Sequence, residues 1–253
     1  MVYVEVLGEV PTGFVELVKG TLLKAYDLIG AKPELLEVYI YGSTEAKLRY
    51  LAEEATRSGV LVVGDFALSH DAWAGWPRIH VDYEKCKGLK RDVLEALLVH
   101  EGVHSVIHGN LSSYVIELKG DLISELGEEA LEAYYVASTA VKDLEVHGYL
   151  VSHGLSDYVT KYYEYSLGGL AGHDCSSVVG LLEFSKLVSP CIYVNCEPSP
   201  ETLAGHSCRD AYDEVMRALR AIAHSGKKLS DRVNSLIKAI LDVTKRRRVP
   251  GPR

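Results

Sequence analysis

The sequence predicts an α+β fold, a small mixed β-sheet with packed helices followed by a mainly helical C-terminal half. Three observations predict it. The hydrophobic period alternates between two and about 3.6 residues through the first hundred positions, and beyond about position 110 only the helical period continues. The chain has 253 residues, 47% of them hydrophobic, which is enough to bury a full core. The expected division is an α/β part over 1–110 and a helical part over 111–253, packed as one compact body.

Val2 to Val10 alternates as a strand does and ends at Pro11; Phe14, Leu17, Val18, Leu22, Ala25 and Ile29 then form a helical stripe that stops at Gly30. Leu35 to Tyr41 is rich in β-branched and aromatic residues and predicts a second strand. Ser43 or Thr44 is placed to cap a helix running through Leu48, Leu51 and Ala55 to Gly59. Val60 to Phe66 predicts a third strand. After a Gly/Trp/Pro-bearing loop, Ile79 to Tyr83 alternates again, with Ile79, Val81 and Tyr83 on one face and His80 and Asp82 on the other. A helix follows over Val93 to His108. Further helices are expected over Glu129 to His153, Tyr158 to Tyr165, Ser176 to Val188, Cys208 to His224 and Ser230 to Lys245, separated by glycine and proline breaks.

The helix from Val93 contains His100-Glu101-Gly102-Val103-His104, which reads H-E-x-x-H. Residues four apart stand one turn apart on one face, about 6 Å along the axis, so His100 and His104 can turn two imidazole nitrogens toward one cation. Glu101 is rotated about 100° from His100, in reach of a water beside that cation but displaced from a third ligand position, which suits a general base. The alternative is a buried histidine pair with no ion. Burying two histidines and a glutamate in an apolar helix is costly without a compensating partner, and a zinc ion supplies one. His108 continues the row, but about 12 Å along the axis from His100 it is too far for joint coordination. It reads as a helix end interacting with the terminal carbonyls.

A catalytic zinc takes three protein ligands and keeps a fourth position open, so one more donor is needed. The best candidates lie in Val141 to Leu150. Asp143 shares a largely apolar side with Val136, Ala140, Val146, His147 and Leu150, so its carboxylate is expected to be buried and in need of a cation. Glu145, on the side of Ser138, Lys142 and Tyr149, reads as a surface acid paired with a lysine. Asp143 therefore ranks first as metal ligand, with Glu145 and His147 as alternatives. Tyr134, Tyr135 and Tyr149 lie near this helix in sequence and are candidates for stabilising an oxyanion, none preferred.

Composition excludes several classes. The net charge of -8 argues against nucleic acid as the main partner, and Lys245, Arg246, Arg247 and Arg248, with Arg253 beyond a Pro-Gly-Pro, read as a solvated basic tail. No run approaches 18 apolar residues, and the first residues are acidic where a signal peptide carries positive charge, so no membrane span and a cytoplasmic location are expected. The absence of glutamine and the presence of only three asparagines, Asn110, Asn195 and Asn234, fit selection against deamidation in a thermophilic source. In that setting Cys175, Cys191, Cys196 and Cys208 are read first as two disulfides of unspecified pairing, then as free thiols, and last as a second zinc site with His173 and His206.

HEGVH preceded by apolar VLEALLV, with an acidic KDLEVHGYL helix some forty residues later, resembles the zincin superfamily of metallopeptidases, and its gluzincin side in particular. The likeness covers Val93 to Leu150 and the strand Ile79 to Tyr83, which is placed like the edge strand lining a zincin substrate cleft. It implies a zincin-like fold, zinc held by His100 and His104, Glu101 as the base acting on the water at the zinc, and a peptide or protein substrate held along that strand. Two departures stand out. Asn110 occupies the place of the third metzincin histidine, and the gluzincin N-E-x-x-S-D motif is absent. A catalytically inactive zincin-like protein that binds zinc for folding or partner recognition is the alternative function.

Overall fold

The computed structural model describes residues 1–59 and 66–248. It is a mixed α+β structure, 66% helical, with one four-stranded sheet. The chain divides into two compact units, Met1–Tyr114 and Val115–Arg253, and each is described by itself.

The first unit is built on strands β1 (Val2–Leu7), β2 (Leu36–Tyr41), β3 (Leu68–Asp71) and β4 (Arg78–Asp82), in the order β1-β2-β4-β3. β1 and β4 both run parallel to β2, and β3 is antiparallel to β4. The helices are α1 (Thr12–Ile29), α2 (Thr44–Ser58), α3 (Tyr83–Cys86) and α4 (Arg91–Ile107). α1 stops at Gly30 and α2 at Gly59, both in the left-handed conformation that glycine adopts without a Cβ clash. Ser43 caps α2 by accepting a hydrogen bond from the Ala46 backbone N–H.

Register assigns each strand residue to a face. Val38 and Ile40 pair with Ile79 and Val81 on one side, while Tyr39 and Tyr41 pair with His80 and Asp82 on the other. On β3, Leu68 and His70 join the first side and Ser69 and Asp71 the second. α1 and α4 supply the apolar layer, through Val18, Leu22, Ala25, Leu94, Leu97 and Leu98, all buried. Gly102 faces α1, where a Cβ would lie in ordinary contact 3.4 Å from Leu22 Cδ2 and 3.6 Å from Ala25 Cβ.

One expectation falls largely outside the described residues and another changes. The strand expected over Val60 to Phe66 falls on residues 60–65, outside the described residues, with Phe66 in coil. The expected edge strand, Ile79 to Tyr83, is an interior one. β4 is paired on both sides, so its ladder groups are already engaged, and Tyr83 begins α3. Among the described strands it is β3 that forms this edge of the sheet.

The second unit is helical: α5 (Gly120–Leu126), α6 (Ala130–Ser152), α7 (Ser156–Leu170), α8 (Val178–Val188), α9 (Pro200–Leu203), α10 (His206–Arg209), α11 (Tyr212–Ala223) and α12 (Leu229–Arg248). α6 is buried nearly all round and forms the axis on which α7, α8, α11 and α12 pack. Disulfides join Cys175 to Cys208 and Cys191 to Cys196. Gly148 admits Tyr193 against α6, because a Cβ there would lie 2.8 Å from the Tyr193 hydroxyl.

The basic run is not a solvated tail through its described part. α12 continues to Arg248; Lys245 pairs with Glu125 at 2.7 Å, Arg246 pairs with Glu214, and Arg247 donates to the carbonyls of Cys175 (2.9 Å) and Ser207 (2.7 Å). Each of these three cations has acceptors from distant segments, although the Lys245 and Arg246 side chains remain mostly exposed. Among the described residues no helix is long and apolar enough to cross a membrane.

Candidate metal centre

α4 carries His100, Glu101, His104 and, at its C-cap, His108, and all four are buried. The helix forms because Val93 to Val99 packs an apolar face on the sheet and α1, while Tyr26 of α1 and Ser105 of α4 share a hydrogen bond of 2.7 Å. Burial pushes the Tyr26 phenol up to about 12, partly offset by that hydroxyl partner.

The two imidazoles of the motif converge. His100 Nε2 and His104 Nε2 stand 3.0 Å apart, with the rings edge to face at 4.7 Å between centroids. Two ligands at 2.0–2.1 Å from a tetrahedral ion are separated by about 3.3 Å, so this pair fits two donors closing on one cation. Glu101 lies between them in sequence and is 9% exposed, on the same buried helix.

One neighbour of His104 was not foreseen. His70 of β3 stacks its ring on that of His104, with centroids 5.7 Å apart and planes 10° apart. The Tyr114 hydroxyl lies 2.8 Å from His70 Nδ1 and also donates to the His70 carbonyl at 3.2 Å. Period-two alternation from Leu68 would have put His70 on the α4 side, but a four-residue strand with two histidine-flanking polar residues gives that pattern little weight. His108 is the C-cap of α4, as expected of a helix end, and its ring turns back so that its Nδ1 is 3.0 Å from His104 Nδ1.

In the second unit, Asp143 is buried on α6, 5% exposed, with the Tyr162 hydroxyl 3.4 Å and Lys186 Nζ 3.7 Å from its Oδ2. Glu145 pairs with Arg232, and both are largely buried, so it is not the surface partner of a lysine that the sequence suggested. His147 is fully buried, edge-on to Tyr162, with Nδ1 3.3 Å from Ser189 Oγ. Of the tyrosine candidates, Tyr134 donates to Asn234 Oδ1 (2.7 Å) and accepts from the Lys119 backbone N–H (2.9 Å), which ties it to the packing of α12. Tyr149 stacks on His153, and burial raises the Tyr135 phenol above its ordinary value.

The cysteine-rich region offers a second cluster, His173 with Cys175 and Cys208. Its two sulfurs are joined in a disulfide, and His173 Nε2 lies 2.9 Å from the Gly180 carbonyl, so the cluster reads as structural. The buried Cys86 is a free thiol, pushed up to about 12 by desolvation.

No protein-family model, no curated protein and no solved structure matches this chain.

Proposed function

We propose that this chain is a zinc-dependent metallopeptidase of the zincin kind. The observation that carries the reading is the 3.0 Å approach of His100 Nε2 and His104 Nε2 on a buried helix that also holds Glu101. Two histidines one turn apart with a glutamate directly after the first match a zinc site in which the acid serves in proton transfer and is not a ligand.

Asp143 is our third ligand. Its carboxylate is buried, with Lys186 Nζ 3.7 Å away, and a desolvated carboxylate on an inward helix face is a suitable donor to a cation. Glu145 already has a guanidinium in Arg232, which removes the reason to prefer it. His147, packed on Tyr162 beside Ser189, is a candidate for orienting Asp143 instead of coordinating.

Zinc, when bound, supplies a Lewis acid that polarises the scissile carbonyl and makes a water proton labile near neutral pH. Glu101 takes that proton and passes it to the leaving amine, acting as base and then acid. The buried helix keeps bulk water away from the carboxylate during the transfer. β3, the strand at this edge of the sheet among those described, is where an extended peptide would pair, and it carries His70 on the side facing α4.

Purified protein is expected to hold one equivalent of zinc by elemental analysis and to cleave unfolded casein. Glu101→Gln should lower cleavage by about 10²- to 10⁴-fold with zinc content unchanged. Zinc without cleavage of any of a varied peptide set would leave a zinc-binding protein that is not a peptidase. Asp143→Ala with full zinc occupancy would remove Asp143 from the ligand set.

A further inference from the structure

We propose that His108 is a positioning residue for the metal: its Nδ1 accepts the Nδ1 proton of His104 and so keeps the Nε2 lone pair of His104 available to the ion. The inference rests on the metal reading above.

His104 is engaged at both ring nitrogens, with Nε2 3.0 Å from His100 Nε2 and Nδ1 3.0 Å from His108 Nδ1. A neutral imidazole has one N–H and one lone pair, so the shared contacts allow two arrangements. With the His104 proton on Nε2, it is donated to His100, and that nitrogen has no lone pair for a cation. With the proton on Nδ1, it is donated to His108 and the His104 Nε2 lone pair faces His100, whose own Nε2 lone pair joins it once the His100 proton is on Nδ1. A cation selects the second arrangement. An acceptor held at the Nδ1 edge stabilises that tautomer before the ion arrives, and its contribution appears as metal affinity.

Three features of this chain hold that acceptor in place. The His108 backbone N–H donates to the His104 carbonyl at 2.8 Å, which anchors the residue one turn below the ring it serves. The cap conformation, φ -122° and ψ 14°, takes the chain out of the helix at this residue. Gly109 then allows the turn to close, since a Cβ there would lie 2.1 Å from the Ser105 carbonyl oxygen. His108 is 3% exposed, so water is a poor substitute for its ring. With His70 against the face of the His104 ring and His108 at its edge, the imidazole is restrained in plane and in tautomer.

The test compares wild-type protein with His108→Leu and His108→Asn. The Asn Oδ1 can take the place of the accepting nitrogen, whereas Leu fills the space without an acceptor. Zinc affinity is measured by competition with a chromophoric chelator at constant pH. His108→Leu should weaken zinc binding by about 10- to 100-fold, and His108→Asn should restore most of the loss. On wild-type protein labelled with 15N at histidine, zinc loading should leave His108 Nδ1 unprotonated and His104 Nδ1 protonated. That measurement needs no variant to fold. Wild-type zinc affinity in His108→Leu, equal loss in both variants, or a protonated His108 Nδ1 in the zinc-loaded protein would overturn the proposal. Wild-type protein that takes up no zinc would instead overturn the metal reading, and this inference with it.

Discussion

The two faces of the sheet in the first unit both bury charge-bearing side chains, and they neutralise them in opposite ways. On the α2 face each cation meets a carboxylate. Arg78 Nε is 2.9 Å from Asp71 and its Nη1 2.7 Å from Glu54; Lys47 is 3.0 Å from Asp82; His80 bridges Asp71 Oδ2 at 2.7 Å and the Tyr41 hydroxyl at 2.8 Å. On the α4 face, imidazoles meet imidazoles: His100, His104 and His108 form a row of nitrogen-to-nitrogen contacts, with His70 stacked alongside. The first arrangement is self-contained, because opposite charges offset one another's desolvation. The second brings ring nitrogens together, which is where the proposed function puts a cation. The same sheet thus carries a closed electrostatic network on one side and a row of imidazoles on the other.

Breaking the closed network should produce the largest effect. Lys47 and Asp82 are both fully buried, and Lys47→Met leaves Asp82 without its cation, with Thr44 Oγ1 still donating to it at 2.8 Å. Removing one partner of such a pair costs about 3–5 kcal/mol. Chemical denaturation of Lys47→Met should show a lower midpoint by that margin, in the presence or absence of zinc. A loss below about 1 kcal/mol would mean that the pair is solvated in solution and that the two faces are less different than their geometry implies.

The α4 face should respond to metal where the α2 face does not. Zinc at about 1,000 times its dissociation constant stabilises the folded state by about 4 kcal/mol. Thermal unfolding with and without a chelator should reveal a gain of that order for wild-type protein. His100→Ala and His104→Ala should abolish the gain, while Lys47→Met should keep it despite its lower starting stability. A zinc effect that survives loss of both histidines would place the metal elsewhere.

These contrasts also show how far the sequence could be read. Periodicity was sufficient for β1, β2, β4 and the long helices, because the apolar residues of each keep the strand or helix period, and for the helix carrying His100 and His104. What periodicity cannot show is which residues cover the second face of a strand. The alternation of Arg78 to Asp82 suggests one wet side, yet every residue of β4 is buried, since Lys47, Glu54 and Asp71 arrive from 7 to 35 positions away in the chain. His108 stands at the helix end, as its position before Gly109 suggests, but periodicity gives no sign that the cap returns its ring to His104. The run Lys245 to Arg247 looked like a tail because its acceptors, Glu125, Glu214 and the Cys175 and Ser207 carbonyls, are remote in sequence.

A smaller difference between the faces should appear at alkaline pH. Tyr26 lies on the α4 side, and its folded value of about 12 exceeds the ordinary 10, so the neutral phenol is favoured by folding. The associated stability is complete below pH 10 and is lost as the pH rises from 10 toward 12. Tyr41, fully buried on the α2 side, is displaced upward as well, by desolvation first and by the neighbouring Tyr50 and Tyr39 next. Tyr26→Phe should therefore lose about 0.5–1.5 kcal/mol at neutral pH, the net value of its hydrogen bond to Ser105, and should show a shallower decline in stability between pH 10 and 12 than wild type. An unchanged alkaline slope would mean that Tyr26 does not carry this dependence.

The smallest effect is expected at Gly102, inside the H-E-x-x-H segment itself. A Cβ there meets Leu22 Cδ2 at 3.4 Å and Ala25 Cβ at 3.6 Å, which is ordinary van der Waals contact, and the residue has helical neighbours on both sides. Alanine gains up to about 1 kcal/mol of helix propensity over glycine, so Gly102→Ala should be neutral or slightly stabilising and should leave zinc affinity intact. Gly109→Ala is its counterpart, because there the added carbon would lie 2.1 Å from the Ser105 carbonyl and the cap must open. If zinc affinity falls in Gly109→Ala and holds in Gly102→Ala, the ion depends on the shape of the helix end more than on the spacing of the motif. If both variants bind zinc like wild type, the cap can relax without moving His104.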